Sequence, residues 1–152
     1  MIAFQEITTA SLYRIALRQG GDRVGDVAGL PLPDAPGSAM HSLSRSALRL
    51  GPETWLVLDR NGGSFDEAGP MLVVEETGAW RVFALVGESA LDLIARFSPA
   101  DVRDFRDTCV ATHAAGHPVI LLPASPDGIE LLVARSYADS LLDLFGNALE
   151  RG

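Results

Sequence analysis

The chain has 152 residues, 47% hydrophobic and 21% charged, which suits one globular domain with a full core and excludes a disordered chain. Lys+Arg is 12 against Asp+Glu 20, for a net charge of −8, and a surface this acidic argues against a nucleic-acid backbone as partner. Every basic residue is Arg, so Schiff-base lysines, phosphate-loop lysines and lysine general bases are excluded together.

Leu12 to Arg18 predicts a strand or short helix, ended by Gly20-Gly21. Gly29 to Gly37 carries Pro31, Pro33 and Pro36 and predicts an extended connector, because proline removes backbone donors and fixes φ. Ser46 to Leu50 and Trp55 to Leu58 flank Gly51-Pro52-Glu53-Thr54, a β-hairpin pattern. Asn61-Gly62-Gly63 breaks the chain again, a short helix is expected over Ser64 to Glu67, and Met71 to Glu75 predicts a strand.

Trp80 to Val86 is a clear strand pattern. A helix follows from Gly87-Glu88-Ser89, with Ala90, Leu93, Ile94 and Phe97 on one face. Ser98-Pro99-Ala100-Asp101 predicts a second helix start with Ser98 as cap. Thr108 to Ala114, Pro118 to Leu122 and Ile129 to Ala134 predict three strands. A last helix is expected from Ser136, the predicted N-cap, with Tyr137, Leu141, Leu144, Phe145 and Leu149 as its apolar stripe. This order contains strand, helix, strand, strand and helix, most of a ferredoxin-like split βαβ unit, so the expected fold class is α+β. A single domain over residues 1–152 is expected, with an N-terminal half of about 1–70 and a ferredoxin-like C-terminal half of about 71–152.

One cysteine, Cys109, allows no internal disulfide. The first residues lack a basic region before a long apolar run, and no stretch approaches the ~20 apolar residues that cross a bilayer. A cytoplasmic protein without membrane contact is the expectation. Residues 1–49 balance at +1 and residues 50–152 at −9, a solvated face or a surface for a locally basic partner.

Reactive constellations do not assemble from the sequence. Cys109, His113 and His117 are spaced four apart, but Thr112, Gly116 and Pro118 predict extended chain, where each step spans ~13 Å and the three cannot meet one ion. His41 lies near Ser42 and Ser44 without a nucleophile elbow. Glu75 and Glu76 are adjacent and point to opposite faces of a strand, so they cannot serve as an acid–base pair. Gly51 and Gly62-Gly63 are turn glycines, and no dinucleotide or phosphate-loop pattern is present. Trp55 and Trp80 could anchor an interface, but each sits among apolar neighbours, which favours the core.

Leu50-Gly51-Pro52-Glu53-Thr54-Trp55-Leu56 and Arg135-Ser136-Tyr137-Ala138-Asp139-Ser140-Leu141 resemble two motifs of the gamma subunit of heterotetrameric sarcosine oxidase. Leu32 to Gly37, Gly87 with Ala90 to Leu93, and His117 to Leu121 follow the same order, so the resemblance runs from about residue 12 to 146. Two segments depart from the family pattern, Glu75 to Trp80 and Phe105 to Thr112, which leaves room for a sister complex acting on another N-methyl amine.

The resemblance implies a subunit related in fold to the folate-binding aminomethyltransferase of glycine cleavage, packed beside the folate-type domain of a large subunit. It implies alpha, beta and delta subunits as partners. FAD, FMN, NAD and tetrahydrofolate would be held by the complex and none by this chain. It implies no catalytic, cofactor-binding or metal-binding residue here; Gly51, Pro52, Trp55, Arg135, Ser136 and Tyr137 would be structural. The complex would demethylate sarcosine to glycine. The alternative expectation is a stand-alone module binding a folate-like small molecule.

Overall fold

The computed structural model describes residues 3–17, 26–27, 30–33, 37–42, 44–63, 71–87, 89–98, 109–114, 116–125 and 128–150. In chain order the strands are β1 (Ala3–Glu6), β2 (Ser11–Leu17), β3 (Asp26–Val27), β4 (Leu30–Pro31), β5 (Ala39–His41), β6 (Arg45–Gly51), β7 (Thr54–Asp59) and β8 (Met71–Glu75). Then follow β9 (Trp80–Val86), helix α1 (Ala90–Phe97), β10 (Val110–Ala114), β11 (His117–Ser125), β12 (Gly128–Ala134) and helix α2 (Arg135–Glu150). The chain divides into two units: Met1–Thr8, Gly78–Arg106 and Val110–Gly152 form a terminal unit, and Thr9–Thr77 with Asp107–Cys109 form a middle unit.

The middle unit is an antiparallel sheet in the order β5-β6-β7-β2-β8. Its centre is set by an uninterrupted apolar run, Trp55-Leu56-Val57-Leu58, in which every residue is at most 1% exposed. A strand buried on both faces needs such a run rather than alternation. The Gly51-Pro52 turn joins β6 to β7, with a register shift between Arg49 and Gly51 that lets the chain reverse. In the proline-rich connector Leu30–Pro31 form β4, paired antiparallel with β3, while Gly29 and residues 34–36 lie outside the described residues. The segment Leu12 to Arg18 resolves to strand over Ser11–Leu17. Strand β5 was not predicted: it lies in a Ser-rich stretch and leaves Met40 and His41 exposed.

The terminal unit is a second antiparallel sheet, ordered β1-β9-β12-β11-β10, whose core includes side chains of both helices. Phe83 and Leu85 of β9, Leu131 and Val133 of β12, and Val119 and Leu121 of β11 pack with Leu93 and Ile94 of α1 and with Leu141 and Phe145 of α2. Phe4 stacks on Phe83 at 5.4 Å, and Phe97 meets Phe145 edge-on at 5.1 Å. Aromatic pairs in these geometries add to the area they bury.

The architecture is α+β, but the sheet order differs from a split βαβ unit. Helix α1 joins β9 to β10, and two strands, β12 and β11, stand between them. All neighbours are antiparallel, so β9 and β10 run in opposite directions, whereas a split βαβ joins two parallel strands around one.

Ser98 has a role that was not foreseen, and the cap at Ser136 differs. Ser98 closes α1 with φ −128 and ψ 139 and gives its N–H to Ile94 O. Pro99 explains this, because the residue before a proline is driven out of the helical region. The helix expected to start at Ser98 lies outside the described residues beyond that position, as does the one over Ser64 to Glu67. Helix α2 begins at Arg135, which puts Ser136 inside its first turn rather than at the cap. No helix among the described residues is long and apolar enough to cross a membrane.

Candidate functional site

The first of the two motifs folds into a stitch within the middle unit. Trp55 is fully buried and its Nε1 donates to the carbonyl of Pro33 at 2.9 Å. Arg49, 9% exposed, lies over the same ring with Cζ 4.9 Å from its centre. From there it donates to the carbonyls of Gly51 at 3.0 Å, Pro52 and Pro33. One guanidinium thereby holds both the hairpin turn and the proline-rich connector, a use of its forked donors that lysine could not reproduce. Gly51 and Pro52 supply turn geometry and acceptors, and Trp55 supplies the anchored ring.

The second motif is a stitch within the terminal unit. Arg135 donates to the carbonyl of Gly78 at 2.8 Å and of Trp80 at 3.2 Å, tying the start of α2 to the start of β9. Ser136 is exposed. Tyr137 is 42% exposed, and its ring stacks on His117 at 5.5 Å. Arg81 on β9 pairs with Glu6 of β1 and, at 2.8 Å, with Asp139 of α2.

The remaining sequence candidates separate. Cys109 is buried in the middle unit, with Sγ 3.6 Å from Ser38 O, and burial pushes its thiol up to about 11, away from a reactive thiolate. His113 and His117 belong to the terminal unit and flank the β10–β11 turn. Among the described residues no three His, Cys, Asp or Glu gather to hold a metal. Glu76 pairs with Arg14 at 2.6 Å, while Glu75 accepts from Thr77 Oγ1.

His41 meets Ser46 rather than Ser42 or Ser44: Nδ1 lies 2.8 Å from Ser46 Oγ, which also accepts from Arg60 at 2.9 Å. Ser46 is 0% exposed, so the hydroxyl cannot meet a substrate as the chain stands. Beside it Asp59, 2% exposed, accepts from Arg45 Nε at 2.7 Å and from the Asn61 N–H at 2.9 Å. Burial raises its pKa, but Arg45 and the Asn61 and Gly63 backbone outweigh burial and hold the carboxyl below its ordinary value.

One concavity was not foreseen. In the terminal unit Trp80, Ala134, Pro118 and His113 line a groove of about 350 Å³, with Ile120 and Ala111 beside them. Trp80 is only partly buried and walls this groove instead of sitting in the core. Its signal was spread over four strands, and nothing in the sequence says that these strands adjoin.

No family model matches the chain, and no curated protein matches it. Among solved structures it is similar to a chain of the heterotetrameric sarcosine oxidase from Corynebacterium sp. U-96, in complex with pyrrole 2-carboxylate. The TM-score is 0.74 and the identity 21%, over 91% of this chain and 78% of that one. It is also similar to the glycine cleavage system aminomethyltransferase T from Bartonella henselae, with a TM-score of 0.63 and 11% identity, over 93% of this chain and 44% of that one. The chain therefore shares the fold of these two proteins.

Proposed function

We propose that the chain is a gamma-type, non-catalytic subunit of a complex resembling heterotetrameric sarcosine oxidase, placed beside the folate-type domain of a large subunit. The observation that carries this reading is the fold match over 91% of this chain and 78% of the sarcosine oxidase chain. It spans less than half of the aminomethyltransferase chain. A chain that matches most of the one and only part of the other suits the accessory subunit better than the whole transferase.

The two motifs support the same reading. Gly51, Pro52 and Trp55, with Arg49, build one stitch, and Arg135 builds the other; both are devices that fix surface shape. The partners would be alpha, beta and delta subunits, and FAD, FMN, NAD and tetrahydrofolate would be held by them. The −9 balance of residues 50–152 suits an Arg/Lys-rich partner surface.

Co-expression with sarcosine oxidase alpha, beta and delta subunits tests the proposal. The expected result is one stable complex that oxidises sarcosine and assembles less well as salt is raised. A chain that stays apart from those subunits, with sarcosine oxidation unaffected by its omission, refutes it.

A further inference from the structure

The groove of the terminal unit is built from a row across four strands. Trp80 faces Ala134, Pro118 faces His113, and Ala134 falls one step beyond the Val119–Val133 pair, opposite Pro118. With neighbouring strands ~4.8 Å apart, the row spans about 14 Å from Trp80 to His113. Its floor is made of the small side chains Ala134 and Pro118, with Ala111 and Ile120 in the next row. A volume of about 350 Å³ is that of a small-ligand site.

The lining selects by charge. Among the described residues that line the groove there is no Asp, Glu or Arg; their polar groups are the Trp80 indole, Thr112 and His113. A zwitterionic amino acid or a folate carboxylate would lose its hydration there and find no guanidinium among these lining residues in exchange. A neutral, largely apolar body loses little.

The Trp80 indole adds a second requirement. Its Nε1 is buried and, among the described residues, has no hydrogen-bond acceptor. Buried donors in folded chains are almost always paired, and the other tryptophan of this chain obeys the rule, since Trp55 Nε1 is bonded to Pro33 O. The backbone at Trp80 is held by Arg135.

We propose that this groove binds a neutral, mainly apolar small molecule carrying one hydrogen-bond acceptor, a carbonyl or a ring nitrogen, which Trp80 Nε1 meets as the indole tilts towards it. The site does not depend on subunit assembly, so it stands or falls separately from the proposed function.

The two tryptophans make the test direct. In the ¹⁵N-labelled chain two indole N–H signals arise, assigned with Trp80→Phe. Benzamide, a flat ring with one carbonyl, is titrated to millimolar concentration, with toluene as a ring lacking an acceptor. The Trp80 signal moves downfield and saturates with benzamide, the Trp55 signal stays in place, and toluene moves Trp80 far less. Trp80→Phe, which keeps an aromatic wall but no donor, weakens benzamide binding about tenfold.

A Trp80 signal that does not move refutes the proposal, as does equal movement with toluene or equal movement of both indoles. Movement only on adding the partner subunits also overturns it, by making the groove a protein contact.

Discussion

Trp55→Phe tests whether the Arg49–Trp55–Pro33 stitch is a coupled unit. The substitution removes the indole donor to Pro33 O, worth about 1 kcal/mol net. It leaves roughly 40 Å³ unfilled at a site with 0% exposure, which at ~24 cal/mol per Å³ costs about 1 kcal/mol. The smaller ring also offers Arg49 a weaker face, at about 0.5–1 kcal/mol. Together the loss is about 2.5–3 kcal/mol.

Arg49→Met leaves three carbonyls without this donor and costs about 2–3 kcal/mol alone. The two changes share the ring–guanidinium contact and the Pro33 carbonyl, so the double variant loses about 1 kcal/mol less than the separate losses combined. Urea unfolding followed by far-UV circular dichroism gives all four stabilities without using tryptophan emission. Additivity to within about 0.5 kcal/mol refutes the coupling.

Three further outcomes follow from single sites. Asp59 has a lowered pKa in the folded chain, so the stability it contributes is present above the unfolded value of ~3.9 and is lost as pH falls through the folded one. Asp59→Asn therefore costs about 2–4 kcal/mol at neutral pH and clearly less at pH about 3; a cost independent of pH in urea unfolding counts against the Arg45–Asp59 account. Cys109, with its thiol pushed up to about 11 by burial, resists a disulfide-exchange reagent at neutral pH until urea unfolds the chain, and fast modification of the native chain contradicts its placement. Gly62 has φ +76, and a Cβ there would sit 2.7 Å from Thr9 O, so Gly62→Ala lowers stability by about 1–3 kcal/mol, measured as a thermal shift against Gly78→Ala, whose Cβ meets nothing within 4 Å.

Local signals carried much of this structure into the sequence. The β6–β7 hairpin is legible because Gly51-Pro52 punctuates two β-prone runs, and α1 because Ala90, Leu93, Ile94 and Phe97 keep one face. Strand β1 is not, since Ala3-Phe4-Gln5-Glu6 has little pattern and its partner on β9 begins beyond residue 80. Ser98 is read as the cap of a following helix, and its role in closing α1, through the N–H it gives to Ile94 O, has no separate mark in the sequence. The split βαβ reading failed on strand order, which depends on where β12 docks and leaves no mark in the order of elements. The same non-locality hides the groove, because Trp80 and His113 are adjacent only through β12 and β11.

The chain path has a consequence for dissection. The terminal unit holds the first residues, gives way to the middle unit at Thr9, resumes at Gly78, and yields once more for Asp107–Cys109, where the Cys109 N–H donates to Gly37 O at 2.8 Å. No single cut in the gene separates the two units into intact pieces. A ribosome releasing the chain must expose β1 for more than seventy residues before β9 exists to pair with it, so β1 waits unpaired while the whole middle unit between them is made.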